Sequence, residues 1–266
     1  MLPIWLKHYT RQVGYGNCYV IDHGSTDGST HKIEAQILRL PRFPIDENTR
    51  AGSTDKFCSA LLFAYERVLF TDVDEIVVAD PGRAANLIDY AKAHSKDLPS
   101  IVNVFGVDVL HDRRREGVVD WDRPITLQRK LIRPFSALCK PTFISEQAQW
   151  HAGFHFSDKA PSAFIADLFL FHLAFCDSQF LMHRQASRNI FAKSKLIYDH
   201  HAIPPEQLLA HVQAYVESLP RTNVRLAPAN PQFERVKTEF TDHINEKKLV
   251  QLQEIWEIPR QFRGLF

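Results

Sequence analysis

The chain has 266 residues, 45% of them hydrophobic and 24% charged, with 32 basic residues against 31 acidic ones. These are ordinary proportions for a folded globular protein, and the even charge provides no overall field for gathering nucleic acid or an acidic membrane. Cys18, Cys58, Cys139 and Cys176 form no C-x-x-C pair, no apolar window nears the roughly 20 residues of a membrane span, and Lys7, His8 and Arg11 interrupt the only stretch resembling a signal peptide, so reduced thiols and a cytoplasmic location are expected.

Leu2, Trp5, Tyr9 and Val13 recur at helical spacing, which predicts an opening helix that ends near Gly14 or Gly16. The residues from Asn17 to Ile21 read as a short buried strand, followed by the turn-rich "DHGSTDGST". A short helix is expected over 33–35, a strand from Gln36 to Leu40 and a loop over 41–50. "STDKFCSALLFAYERV" (53–68) opens with helix-capping residue types and puts Phe57, Leu61 and Tyr65 on one face. The next expected elements are a strand at Val68–Phe70, another at Ile76–Ala79, a helix opened by Pro81 and a long strand at Ile101–Leu110. This alternation predicts an α/β fold with a mostly parallel sheet flanked by helices. After 111 the pattern loosens into short strand-like pieces rich in aromatic residues and His. From Pro204 it turns helical, in "PPEQLLAHVQAYVESL" and "RVKTEFTDHINEKKLVQLQEIW". The expected division is a domain over 1–176 with a helical C-terminal portion over 177–266 packed on it.

"FTDVDEIV" (70–77) sets Asp72, Asp74 and Glu75 between two apolar runs. Solvated turns account for most such clusters, but this one falls at a strand's carboxyl end, where α/β sheets gather ligands. On an extended chain Asp72 and Asp74 share one side while Val73 faces the other. Both can then serve a divalent cation, Asp74 as the first choice for direct ligand, with Glu75 pointing away. Crowding alone predicts that removing one of the three carboxylates costs little stability. The 13 histidines invite a zinc reading. However, His151 and His155 flank Gly153 in a non-helical pattern, and H-E-x-x-H is absent, so a zinc hydrolase is not expected.

Three stretches resemble the nucleotide-sugar glycosyltransferases of the GT-A fold, in particular family-2-like members. "YVIDHGSTDGST" (19–30) is similar to their strand and turn around the nucleotide base and ribose, and "RVLFTDVDEIVV" (67–78) to their D-x-D strand. "CKPTFISEQAQWHAGFH" (139–155), followed by "LFLFHLAF" (168–175), resembles later acceptor-side and metal-side segments. The likeness covers roughly residues 1–176. It implies a hexosyltransferase-like enzyme moving a sugar from a nucleotide-sugar donor, a UDP-sugar first, to a glycan or other hydroxyl acceptor. Mn²⁺ or Mg²⁺ would bridge the diphosphate. Asp22, Asp27 and Asp72 would contact the nucleotide, and Asp72, Asp74, His155 and His172 would serve the metal.

Asp22 has a competing role as a cap for its own turn, and each histidine a competing structural role. The catalytic base stays open among Asp108, Glu146 and Asp158. The resembled enzymes begin with a strand ahead of the first helix. Here Met1 stands at the corresponding turn, so the expectation is a sheet without that strand. Two other functions share this architecture. One is a non-catalytic nucleotide- or carbohydrate-binding descendant. The other is a sugar nucleotidyltransferase, for which "LPIWLKHYTRQVGYG" lacks the Gly-rich basic phosphate loop.

Overall fold

The computed structural model describes residues 1–42, 46–159, 163–192 and 202–266. Pro3 sits in the first turn of α1 (Leu2–Val13), where its missing N–H leaves no bond unmade, and Gly14 ends the helix at φ 84°. The helix buries His8 and Tyr9. Both reach the same later strand: the Tyr9 hydroxyl donates to the Glu75 carbonyl and accepts from Val77 N–H, while His8 Nε2 lies 2.9 Å from the Val77 carbonyl.

β1 (Tyr19–Asp22) and β2 (Gln36–Arg39) pair in parallel as a separate two-stranded sheet. The residues before β2 form bends rather than the expected short helix. α2 (Glu47–Leu61) starts earlier than its sequence suggests, because Asp46 caps it by accepting Thr49 N–H at 2.8 Å, so Ser53 and Thr54 lie inside the helix. The helix thus takes up the end of the expected 41–50 loop, of which 43–45 lie outside the described residues. Similarly, α3 (Leu87–Ala93) is capped by Asn86, and Pro81 opens only a turn.

The larger sheet is built on β5 (Ile101–Leu110), buried along its whole length. β3 (Val68–Leu69), β4 (Glu75–Ala79), β6 (Leu131–Pro134), β7 (Pro141–Ile144) and β8 (Ala163–His172) surround it. The α/β class holds, but the expected mostly parallel sheet does not. β8 runs parallel to β5, whereas β6 and β7 run antiparallel to β5, β3 antiparallel to β7 and β4 antiparallel to β8. These neighbours are not consecutive hairpins: β3 and β7, like β4 and β8, lie far apart in the chain, and β5 reaches β6 through a 20-residue connection that carries the short helix α4 (Ile125–Gln128).

β6 and β7 act as two pieces of one strand alongside β5, facing Val107–Leu110 and Ile101–Asn103 respectively. Between them the chain bulges into a 3-10 turn, Ser136–Leu138, pressed onto Gly106. A Cβ at Gly106 would stand 2.3 Å from the Leu138 backbone.

The C-terminal portion is not purely helical. Besides α5 (Ser178–Ala192), α6 (Pro205–Ser218) and α7 (Pro231–Asn245) it supplies β9 (Arg221–Thr222) and β10 (Ile255–Glu257), and β10 pairs with β6. The helix expected to run through Trp256 stops at Asn245. Phe233 and Phe240 of α7, Trp256 and Phe262 share one core with Phe105 and Phe169 of the sheet.

Candidate functional site

The site lies where three strands meet. His172 ends β8, in register with Glu75 of β4 on one side and with Asp108 of β5 on the other. Asp72 and Asp74 fall in the turn between β3 and β4, held by Glu75 N–H to the Asp72 carbonyl (3.0 Å) and Leu173 N–H to the Asp74 carbonyl (2.8 Å). Val73 does not face the core: it is 45% exposed at the tip of this turn. Glu75 does not point away to solvent but is buried, with one carboxylate oxygen accepting Asp72 N–H.

Each of the three carboxylates faces at least one cation. Lys140, at the head of β7 and 4% exposed, sets its Nζ 2.6 Å from Glu75 Oε1 and 3.1 Å from Asp72 Oδ2. Arg50, from the first turn of α2, pairs with Asp72 Oδ1. Arg184 of α5 stands 2.5 Å from Asp74 Oδ2, and His172 Nε2 3.4 Å from the same oxygen. Crowding alone therefore does not set the cost of removing a carboxylate: taking away Asp74 would cost Arg184 its partner, whereas Lys140 and Arg50 each hold a second carboxylate.

Burial opposes the charge at Asp74, yet Arg184, His172 and Arg188 hold its carboxyl well below the usual range. Asp72 keeps a quarter of its side-chain surface; what burial it has acts upward, and Lys140 and Arg50 outweigh it downward. Burial also works against Lys140, but Glu75 and Asp72 keep it protonated beyond the ordinary lysine range. His172 accepts or donates at Nδ1 with Asp108 Oδ1, 2.7 Å away. Burial would lower it; Asp74 and Asp108 more than offset that and raise it to about 9. Arg188, one helical turn beyond Arg184, is pushed down to about 10 by burial and by Arg184 itself.

Among the described residues, no group of three or more His, Cys, Asp and Glu side chains is arranged to hold a metal ion. Asp74 Oδ2 is buried and faces His172 Nε2, but Arg184 already pairs with it, and His172, raised to about 9, carries a proton on each ring nitrogen, so the two form an ion-paired cluster rather than a ready pair of metal ligands.

The other expected site residues lie elsewhere or are engaged. Asp22 accepts Ser25 N–H (2.8 Å) and the Thr30 hydroxyl (2.9 Å) and sits 3.2 Å from Arg39 Nε, so its carboxylate is occupied by its own turn. Asp27 accepts Ser29 N–H at 3.0 Å ahead of Gly28, whose φ is 79°. His155 turns its Nδ1 onto the Ala137 carbonyl at 2.6 Å, and its ring fills the space where a Gly153 Cβ would be. Of the three candidate bases only Asp108 is in the site. Glu146 is exposed, and Asp158 pairs with His151 on the surface.

Lys140, Arg50, Arg184 and Arg188 were missed by reading the carboxylates alone. Lys140 had a signal, since a single lysine inside the apolar run "ALCKPTFI" needs a buried counter-charge. Arg184 and Arg188 had a weaker one, their i,i+4 spacing.

Asp72 and Val73, at the start of this turn, line with Arg50 a cleft of about 1000 Å³ that also touches β1, β2 and β3, whereas Asp74 and His172 do not line it. Compared with known protein families and with curated proteins, the chain matches none. No helix among the described residues is long and apolar enough to cross a membrane.

Proposed function

We propose that the chain is a metal-assisted glycosyltransferase of the GT-A kind, taking a nucleotide-sugar, a UDP-sugar first, and passing the sugar to a hydroxyl acceptor. One observation carries the reading: at a strand-end turn, buried Asp74 pairs with Arg184 and faces His172, while Lys140 and Arg50 hold the neighbouring Asp72. A diphosphate leaving group suits that setting, because its negative charge grows as the C1–O bond breaks. A divalent ion would have to displace Arg184 from Asp74 and the proton from His172 before those residues could hold it, and it would then add charge neutralisation at the same place. Arg184 and Arg188 then face the diphosphate, while Arg50 and Lys140 fix Asp72 in place for the donor. Asp108 holds the His172 ring by its Nδ1 and so sets which nitrogen meets Asp74.

A non-catalytic nucleotide-binding role is the second reading. It is favoured by Asp74, whose outer oxygen is already paired with Arg184 rather than open to a metal ion.

The test is Mn²⁺-dependent hydrolysis of a panel of nucleotide-sugars, measured with calorimetric UDP binding, on the wild type and Asp74→Asn. The transferase reading expects donor hydrolysis that EDTA abolishes and Asp74→Asn reduces at least a hundredfold, the scale of losing a charge-stabilising group. Nucleotide binding with no turnover would support the second reading. Neither binding nor turnover across the panel would overturn both.

A further inference from the structure

We propose that the Arg184–Asp74 ion pair is a lock on this site, which keeps a divalent ion off Asp74 until an anion of the phosphate class draws Arg184 onto itself together with Arg188. The binding order is then anion first and metal second. The inference rests on the transferase reading only for the identity of the anion as a diphosphate.

The lock is read from the pair itself. Arg184 Nη2 lies 2.5 Å from Asp74 Oδ2, the same oxygen that faces His172 Nε2 at 3.4 Å. The carboxylate side chain is 5% exposed and that of the arginine 21%, so the arginine is the outer member. An ion arriving from solvent meets a positive group first and finds the carboxylate already neutralised. Mg²⁺ and Mn²⁺ favour free oxygen ligands, so Asp74 in this state offers them little.

Arg188 supplies the key. It follows Arg184 by four residues in α5, so the two guanidinium groups share a face of the helix, where like charges are unfavourable. With the described residues Arg188 makes no hydrogen bond or ion pair, although the fields of Asp74, Asp72 and Arg50 reach it. Asp72 and Arg50 line the large cleft, so Arg188 stands close to residues that open onto it. Two guanidinium groups suit a phosphate-class anion, because each can give two parallel N–H bonds to its oxygens. Once Arg184 turns to that anion, Asp74 keeps only His172, and a buried carboxylate short of a counter-charge is unfavourable. A divalent ion that shares the anion's oxygens restores the balance. The coupling is reciprocal, so whatever factor the anion adds to metal affinity the metal adds to anion affinity.

The experiment follows Mn²⁺ binding to the full chain through loss of the free-ion paramagnetic resonance signal. Sulfate is compared with chloride at matched ionic strength, in the wild type, Arg184→Gln, Arg184→Lys and the double variant Arg184→Gln/Asp74→Asn. Sulfate should tighten Mn²⁺ binding by the wild type at least about fivefold, and in chloride Arg184→Gln should bind Mn²⁺ at least about tenfold more tightly than the wild type. Arg184→Lys, which keeps the charge, should stay locked, and the double variant should lose the gain. In metal-free buffer, Arg188→Gln should weaken binding of inorganic pyrophosphate at least about tenfold, the scale of one hydrogen bond to a charged group. Equal Mn²⁺ affinity in wild type and folded Arg184→Gln overturns the lock, as does pyrophosphate binding that Arg188→Gln leaves unchanged. Wild-type Mn²⁺ binding indifferent to sulfate overturns it too, and that comparison holds even where a variant fails to fold. None of these measurements uses a sugar donor, so a silent donor panel would end the transferase reading and leave the lock standing.

Discussion

Lys140→Met tests whether the acidic turn is held by its cations. The substitution keeps the length and the apolar stem of the side chain while deleting its charge. Lys140 Nζ serves two carboxylates, at 2.6 Å to Glu75 and 3.1 Å to Asp72. Asp72 retains Arg50, so the loss falls on Glu75, whose side chain is 2% exposed and keeps only its bond from Asp72 N–H. Removing one partner of a buried pair costs about 3–5 kcal/mol, because the remaining charge is uncompensated. In urea, with a slope of about 3 kcal/mol/M, the unfolding midpoint should fall by roughly 1–1.7 M at pH 7. The pH dependence has a definite sign. Burial already raises the Glu75 carboxyl, and losing Lys140 raises it further. The penalty therefore grows as pH rises above the unfolded value and shrinks as pH falls toward 5. Glu75→Gln in the same background should restore most of the loss, since it removes the stranded charge. A midpoint shift below about 0.3 M for Lys140→Met, or a double variant no better than the single one, would refute the account.

His8 and Gly106 give two further checks. Burial lowers His8 to about 4, aided by Arg11 and opposed by the Val77 carbonyl. The unfolded chain takes up this proton below about 6.5 while the folded one refuses it, so the contribution is complete above 6.5 and is lost as pH falls toward 4, on the order of 2–3 kcal/mol. His8→Gln, which can still donate to Val77, should flatten the stability profile between pH 6.5 and 4.5; wild-type and variant profiles that run parallel would contradict this. Gly106→Ala should lower the melting temperature by about 5–10 °C, because its Cβ meets the backbone of Leu138 rather than a side chain that can move. An unchanged melting curve would show that the Ser136–Leu138 turn yields.

The sequence carried local structure well where periodicity and capping agree. β5 was legible to the residue, because ten buried positions in a row leave a strand no polar face to misread. α1 was equally clear from its apolar spacing and Gly14. Pairing was not legible. The alternation of helices and strands suggests crossovers to parallel neighbours, but β6 and β7 lie antiparallel beside β5 as one strand broken over Gly106, a tertiary contact with no signature in either segment alone.

The site divides along the same line. Asp72 and Asp74 stood out because acidic clusters at strand ends are locally unusual, and the structure brings His172 and Asp108 to the same place by register. The sequence put His155 ahead of His172 as a metal-side residue, yet its ring is turned to the Ala137 carbonyl. The difference lies in the partner strand: an imidazole ending β8 is placed by β4 and β5 together, whereas His155 follows a local turn through Gly153. The cations arrive from three separate elements, α2, β7 and α5, so no single stretch announces them. Without those cations the turn would be a cluster of repelling carboxylates. With them it becomes a neutralised floor that can receive an anion.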